Sequence, residues 1–177
     1  MEKKDIWVVM ETDQGQWEEV GYEMLNFAQV LAFAYRYHLV ALVIGYGVEE
    51  VAWETVRYGA ESAILVDHST YEHYHEANYL ETIGDLFAQS HPEMIFVGGT
   101  ERGRSLATHL AVKIGGVVVE ERNIFHCLDV RRQAKCQEEA HRCIIGVVNP
   151  GEFEKCPYNG AMMGNIVDGY QQLYGRT

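Results

Sequence analysis

Short, uninterrupted apolar runs alternating with amphipathic stretches constrain this chain more than any other feature. Ile6 to Met10, Leu39 to Ile44, Ala63 to Val66 and Met94 to Val97 are four such runs. A strand that is apolar at every position must be covered on both faces, which is the condition of a strand inside a parallel sheet. The intervening stretches have helical spacing. Residues 20–37 place Met24, Phe27, Ala28, Leu31 and Tyr35 on one face, and 76–90 do the same with Tyr79, Leu80, Ile83, Leu86 and Phe87. Residues 48–58 read as a shorter helix stopped by Gly59, and Leu106, Leu110 and Ile114 mark a fourth helix. Four consecutive βα units predict an α/β fold with three layers, an open, doubly wound parallel sheet between helices.

Beyond residue 120 the helical pattern gives way. Ile124 to Leu128 and Cys143 to Val148 read as strands joined by the polar stretch 131–141, and together they predict an antiparallel C-terminal extension of the sheet. Gly160 to Val167 matches neither period. No Pro- or Ser-rich linker, internal repeat or low-complexity tract divides the 177 residues, so the whole chain, 1–177, is expected to form a single domain.

Charge narrows the partners. With 26 acidic against 14 basic residues, the net charge of −12 repels phosphate backbones, so neither nucleic acid nor an anionic membrane is expected as the main ligand. Ile6 to Met10 is too short for a signal-peptide core and no later run could span a bilayer, so a cytoplasmic chain with reduced thiols is expected. Cys127, Cys136, Cys143 and Cys156 contain no CxxC pair, and isolated strand cysteines usually serve as small apolar core residues.

The segment richest in chemistry is Gly98-Gly99-Thr100-Glu101-Arg102-Gly103-Arg104-Ser105, which leaves the fourth strand and opens the fourth helix. Ligands of doubly wound sheets bind outside the carboxyl ends of strands, so the position suits a site. Two arginines at a helix N-terminus oppose its dipole, and an anionic ligand or a partner's carboxylate would resolve the conflict. Gly98-x4-Gly103-Arg104-Ser105 approaches the phosphate-binding P-loop, with arginine in place of the lysine whose compact ammonium reaches the phosphates. The plainer reading is a tight glycine turn whose arginines form surface ion pairs.

The run Phe96 to Ala111, with Gly98, Gly99, Thr100, Gly103 and Arg104 at its centre, resembles the F-G-A-T-x-x-G-R-D-L-A-P-R-L-A segment of electron transfer flavoprotein α-subunits. Ile6 to Glu11 is similar to that family's opening strand. Tyr58-Gly59-Ala60 with Leu65-Val66-Asp67-His68 resembles its third βα junction, and Gly160 to Ile166 is similar to its P-A-F-G-G-N segment. The resemblance covers nearly the whole chain and implies an adenine-nucleotide-hydrolase-like fold. It also implies a role in electron transfer as a scaffold and docking domain, as one half of a heterodimer with a β-like subunit. FAD would then belong to the assembled complex, held by a separate flavin domain and not by this chain alone. Ser105 departs from the family, which usually has an acidic residue there, and the family's serine-glycine flavin motif has no counterpart before Thr177.

Two rival readings accompany this one. A stand-alone module could hold an adenine nucleotide such as AMP through Gly98, Gly99, Thr100, Arg102, Gly103, Arg104 and Ser105, and a homodimer could use the face vacated by the partner. Catalysis is the weaker expectation, because the chain has no GxSxG elbow, HExxH or GxGxxG fingerprint. Glu11, Asp13 and Asp67 end putative strands and could line the cleft. His68, His73 and His75 follow Asp67 without a standard zinc spacing, which favours a solvated loop over a metal site.

Overall fold

The computed structural model describes residues 3–13, 15–133 and 142–149. Six strands form one sheet: β1 (Asp5–Met10), β4 (His38–Gly45), β5 (Ser62–Asp67), β6 (Met94–Gly98), β7 (Val117–Glu120) and β8 (Ile144–Val148). Two further strands, β2 (Thr12–Asp13) and β3 (Gln16–Trp17), make a small antiparallel hairpin after β1. The helices are α1 (Glu19–Tyr35), α2 (Glu49–Arg57), α3 (Glu76–Ser90), α4 (Glu101–Ile114) and α5 (Glu121–Gln133).

Alternation along β1 shows why the apolar runs are continuous. Ile6, Val8 and Met10 face one helical layer, with α1, α2 and α5, while Trp7 and Val9 face the other, with α3 and α4. All five of these side chains are buried. Phe27 of α1 meets Phe96 of β6 at 5.6 Å between ring centroids, tying helix to sheet in the first layer. No helix among the described residues is long and apolar enough to cross a membrane.

The strand order is β5-β4-β1-β6-β8-β7, and every pair in this sheet is parallel. From β1 the chain winds outward through β4 to β5, then returns to place β6 on the other side of β1. The direction of winding therefore reverses between β1 and β6, which opens a crevice at the carboxyl ends of these two strands.

The antiparallel extension expected after residue 120 is corrected. Ile124 to Leu128 lies inside α5, and β8 enters parallel between β6 and β7. Ile124, Phe125 and Leu128 have spacings that suit a helix as well as a short strand, and no glycine or proline flanks them to decide. As a helix they bury one face, with Phe125 edge-on to Phe27 at 6.0 Å. That helix serves as the crossover that a parallel β8 requires. Cys143, expected in the strand, lies immediately before it and is buried, while Cys127 on α5 is half-buried. Cys136, Cys156 and Gly160 to Val167 lie outside the described residues.

Candidate functional site

The Gly98–Ser105 loop closes the crevice at the end of β6. Its glycines are required by close packing. A Cβ on Gly103 would lie 1.9 Å from the Gly98 carbonyl oxygen, so the first turn of α4 rests directly on the strand backbone. A Cβ on Gly99 would meet the Asn149 backbone at 2.9 Å, where the chain leaves β8. Thr100 caps α4: its backbone is extended, and its hydroxyl oxygen accepts the Gly103 N–H at 3.0 Å. The same hydroxyl donates to Glu11 Oε1 at 2.5 Å, joining the loop to the end of β1.

The two arginines take different partners. Arg102 lays its guanidinium over the Tyr74 ring, 3.8 Å from the centroid, and 5.1 Å from that of Tyr79. It also donates to the Thr12 carbonyl at 3.4 Å. Arg104 forms an ion pair with Glu120 at 2.7 Å and donates to the Asn149 side-chain oxygen. Asn149 returns an amide hydrogen bond to Glu120 at 2.9 Å. Hydrogen bonding from Arg104 holds the Glu120 carboxyl below its usual range. Ser105 donates to both oxygens of Glu76, at 2.9 and 3.0 Å, and His109 Nδ1 lies 2.9 Å from the same carboxylate.

Around Arg102 the crevice has two unlike sides. Glu11, Asp13, Glu18, Glu19 and Glu23 line one, with Thr100, in a cleft of about 690 Å3. Tyr46, Tyr71, Tyr74 and Tyr79 line the other, of about 490 Å3, together with the hairpin residues Thr12 and Asp13. Burial, reinforced by the Glu76 charge, pushes the Tyr74 hydroxyl up to about 12, and burial likewise raises Tyr79. Both phenols are therefore neutral over the physiological range, and Tyr79 donates its proton to the Ile44 carbonyl at 2.8 Å. A cavity of about 780 Å3 beside Lys3, Arg36 and Tyr37 lies near the amino ends of β1 and β4. It is away from the edge where sheets of this type bind ligands.

The remaining sequence candidates have local roles. Asp67, at the end of β5, accepts the Gly47 and Val48 N–H groups at 2.8 and 2.9 Å, just ahead of α2. His68 caps the short 3-10 turn Ser69–Tyr71 by accepting the Thr70 N–H. His73 and His75 are exposed. Among the described residues no three His, Cys, Asp or Glu side chains gather as metal ligands would.

The structure brings Gly98, Gly99, Thr100, Arg102, Gly103, Arg104 and Ser105 together with Glu11, and His73 lines the tyrosine side of the crevice with Arg102, while Asp67 and His68 serve the turns after β4 and β5. Sequence reasoning missed Tyr74, Tyr79, Glu76, Glu120 and Asn149. One signal was available for two of these. Glu120 ends β7 and Asn149 follows β8, so both are polar residues at the close of an apolar run, as Glu11 is after β1.

Comparison with known proteins bears on the same segment. The electron transfer flavoprotein domain model matches residues 6–121, from β1 through the loop to the start of α5. The electron transfer flavoprotein subunit alpha of Megasphaera elsdenii is 33% identical, over 94% of this chain and 53% of its own length. That of Clostridium acetobutylicum is 26% identical, over 89% of this chain and 51% of its own. The acryloyl-CoA reductase electron transfer subunit beta of Anaerotignum propionicum is 32% identical over 63% of this chain and 30% of its own. The chain thus spans about half the length of the two alpha subunits. With a family match over most of the described residues, and with alpha subunits among its relatives, this chain belongs to the electron transfer flavoprotein family.

Proposed function

We propose that this chain works as the scaffold and docking half of an electron transfer flavoprotein α-type subunit, in the cytoplasm and without holding FAD itself. In this reading the whole chain, 1–177, acts as one domain. It packs against a β-like subunit in a heterodimer, and FAD is held in the assembled complex by a separate flavin domain.

The observation that carries the reading is the family match: residues 6–121 correspond to the electron transfer flavoprotein domain, and alpha subunits are among the chain's relatives. The loop is consistent with a scaffold. Thr100, Arg102, Arg104 and Ser105 each have partners within the chain, so the segment ties α4 to the ends of β1 and β7 and to α3.

A second reading, an adenine-nucleotide module using Gly98–Ser105 for AMP, draws support from the loop's place at the crevice where winding reverses. Affinity capture from the native organism separates the two. A captured complex that absorbs as flavin and contains a β-like subunit is the expected result. A colourless protein captured alone, as monomer or homodimer, overturns the docking role.

A further inference from the structure

The start of α4 is where an open parallel sheet of this type would receive an anionic ligand. The positive end of a helix dipole faces the crevice between β1 and β6, the usual setting for a ligand phosphate. In this chain an internal carboxylate stands there. Glu11 is only 8% exposed, although it directly follows β1 at the mouth of the crevice. Its Oε1 accepts the Thr100 hydroxyl at 2.5 Å. The same oxygen lies 3.0 Å from where a Gly103 Cβ would stand and 3.1 Å from where a Gly98 Cβ would stand. The bare glycines of the loop are thus packed around this carboxylate.

We propose that Glu11 is the loop's own anion: its carboxylate holds the place of a ligand phosphate, and the Gly98–Ser105 loop is closed to phosphate-bearing ligands in the folded chain. The surroundings favour this. Asp13, Glu18, Glu19 and Glu23 line the approach together with Thr100, so an incoming phosphate meets negative charge before it meets the helix. The two cations that would receive it are engaged, Arg102 over Tyr74 and Arg104 with Glu120. The glycine-rich sequence that looks like a phosphate cradle therefore acts as a clasp between β1 and α4. This inference goes beyond the docking role and does not depend on it.

The test compares the full chain with Glu11→Ala by thermal melting in acetate, inorganic phosphate and chloride at matched ionic strength. Both proteins are also titrated calorimetrically with AMP and with phosphate. Loss of a buried charge-assisted hydrogen bond is expected to lower the melting temperature of the variant by roughly 5–10 °C. Acetate or phosphate, but not chloride, then recovers part of that loss by filling the vacated space. The parent shows only the general stabilisation that phosphate gives any folded protein, smaller than the variant's recovery, and it gives no saturable heat with AMP or phosphate. A variant that gains no more from acetate or phosphate than the parent does, or saturable phosphate or AMP binding by the parent, overturns the proposal.

Glu11→Gln keeps the shape and an acceptor while removing the charge, and it decides the matter if Glu11→Ala does not fold. It is expected to melt below the parent, and a variant as stable as the parent overturns the proposal equally. If both variants fail to fold, the parent titration decides, with silence supporting the closed loop and saturation overturning it. Failure here leaves the docking role standing, because that role is read from the captured complex.

Discussion

Two helix starts at the carboxyl edge of the sheet receive a carboxylate from the end of a neighbouring strand, and they do so differently. At α2, Asp67 reaches over from β5 and accepts two backbone N–H groups directly, but it remains exposed to solvent. At α4, Glu11 comes from β1 and works through the Thr100 hydroxyl, enclosed by Gly98, Gly103 and Val20. The chemistry is the same, a negative charge at the positive end of a helix. The position in the sheet differs. β5 is an edge strand, where the carboxylate only has to order a turn. β1 and β6 flank the reversal of winding, where an open crevice must be filled by something. Both arrangements use glycines, but differently: the exposed one needs Gly47 for its backbone angle, φ +69°, whereas the enclosed one needs Gly103 and Gly98 bare because a Cβ would strike backbone or the carboxylate itself.

That dependence gives the largest expected effect. Gly103→Ala places a methyl 1.9 Å from the Gly98 carbonyl oxygen, a backbone atom that cannot yield without shifting the end of β6, and 3.0 Å from Glu11. The first turn of α4 must lift off β6, and a cost of about 3 kcal/mol or more follows from overpacking against backbone. Chemical denaturation of the parent and variant measures it. A loss below about 1 kcal/mol, within the ordinary run of substitutions, would show that the loop is loosely held.

Asp67→Ala comes next. Removing an exposed carboxylate from two N–H groups costs about 1 kcal/mol, as loss of a helix cap does, because water can take its place. The comparison holds if this loss is smaller than that of Glu11→Gln measured under the same conditions. Equal losses would mean that burial at α4 adds nothing, and the contrast between edge and crevice would fail.

How far the sequence reveals this arrangement depends on distance along the chain. The parallel sheet is legible because strands buried on both faces leave continuous apolar runs, and Ile6 to Met10 is buried at each position. The place of the Gly98–Ser105 loop is equally legible, since it follows such a run and opens a helix. The partners are not. Two arginines beside a helix N-terminus suggest a missing anion, yet Arg102 is answered by Tyr74 and Tyr79, more than twenty residues earlier, and Arg104 by Glu120. Nothing local marks a tyrosine as the floor beneath a guanidinium. The stretch around Ile124 was open to misreading for a different reason: four or five apolar residues fit either period, and the crossover that makes it a helix is a property of the whole sheet.

Arg104→Ala removes a third strand-end carboxylate's partner, this time a cation on the first turn of α4. The pair is partly exposed, so solvent screening limits its effect to about 0.5 kcal/mol at neutral pH. Its pH dependence is the more telling readout. The Glu120 carboxyl is held below its ordinary value of 4.5, mainly by the Arg104 hydrogen bond. A depressed folded-state value contributes stability that is present above 4.5 and is lost as pH falls through the folded value. The variant is expected to lose part of the acid-limb slope in melting temperature, with its fold and neutral-pH stability nearly intact. If the proposed β-like subunit is captured, its weaker capture by the same variant would place this ion pair at the proposed docking surface as well. Unchanged capture would confine it to joining α4 to β7 within the chain.

The smallest expected effect lies where α3 meets α4. Glu76 opens α3 and takes hydrogen bonds from Ser105, with His109 at 2.9 Å. Hydrogen bonding to Glu76, and then its charge, raise the His109 value above 6.5. A raised histidine contributes stability that is fully present below 6.5 and is lost as pH rises through its folded value. His109 is exposed, so the contribution is slight and screened by salt. His109→Gln should therefore flatten the melting-temperature profile between pH 6.5 and mildly alkaline conditions at low ionic strength, and leave it unchanged in high salt. A slope that survives high salt would mean that the contact behaves like the enclosed carboxylate of Glu11. A slope that disappears puts it with Asp67, among the charges that water can replace.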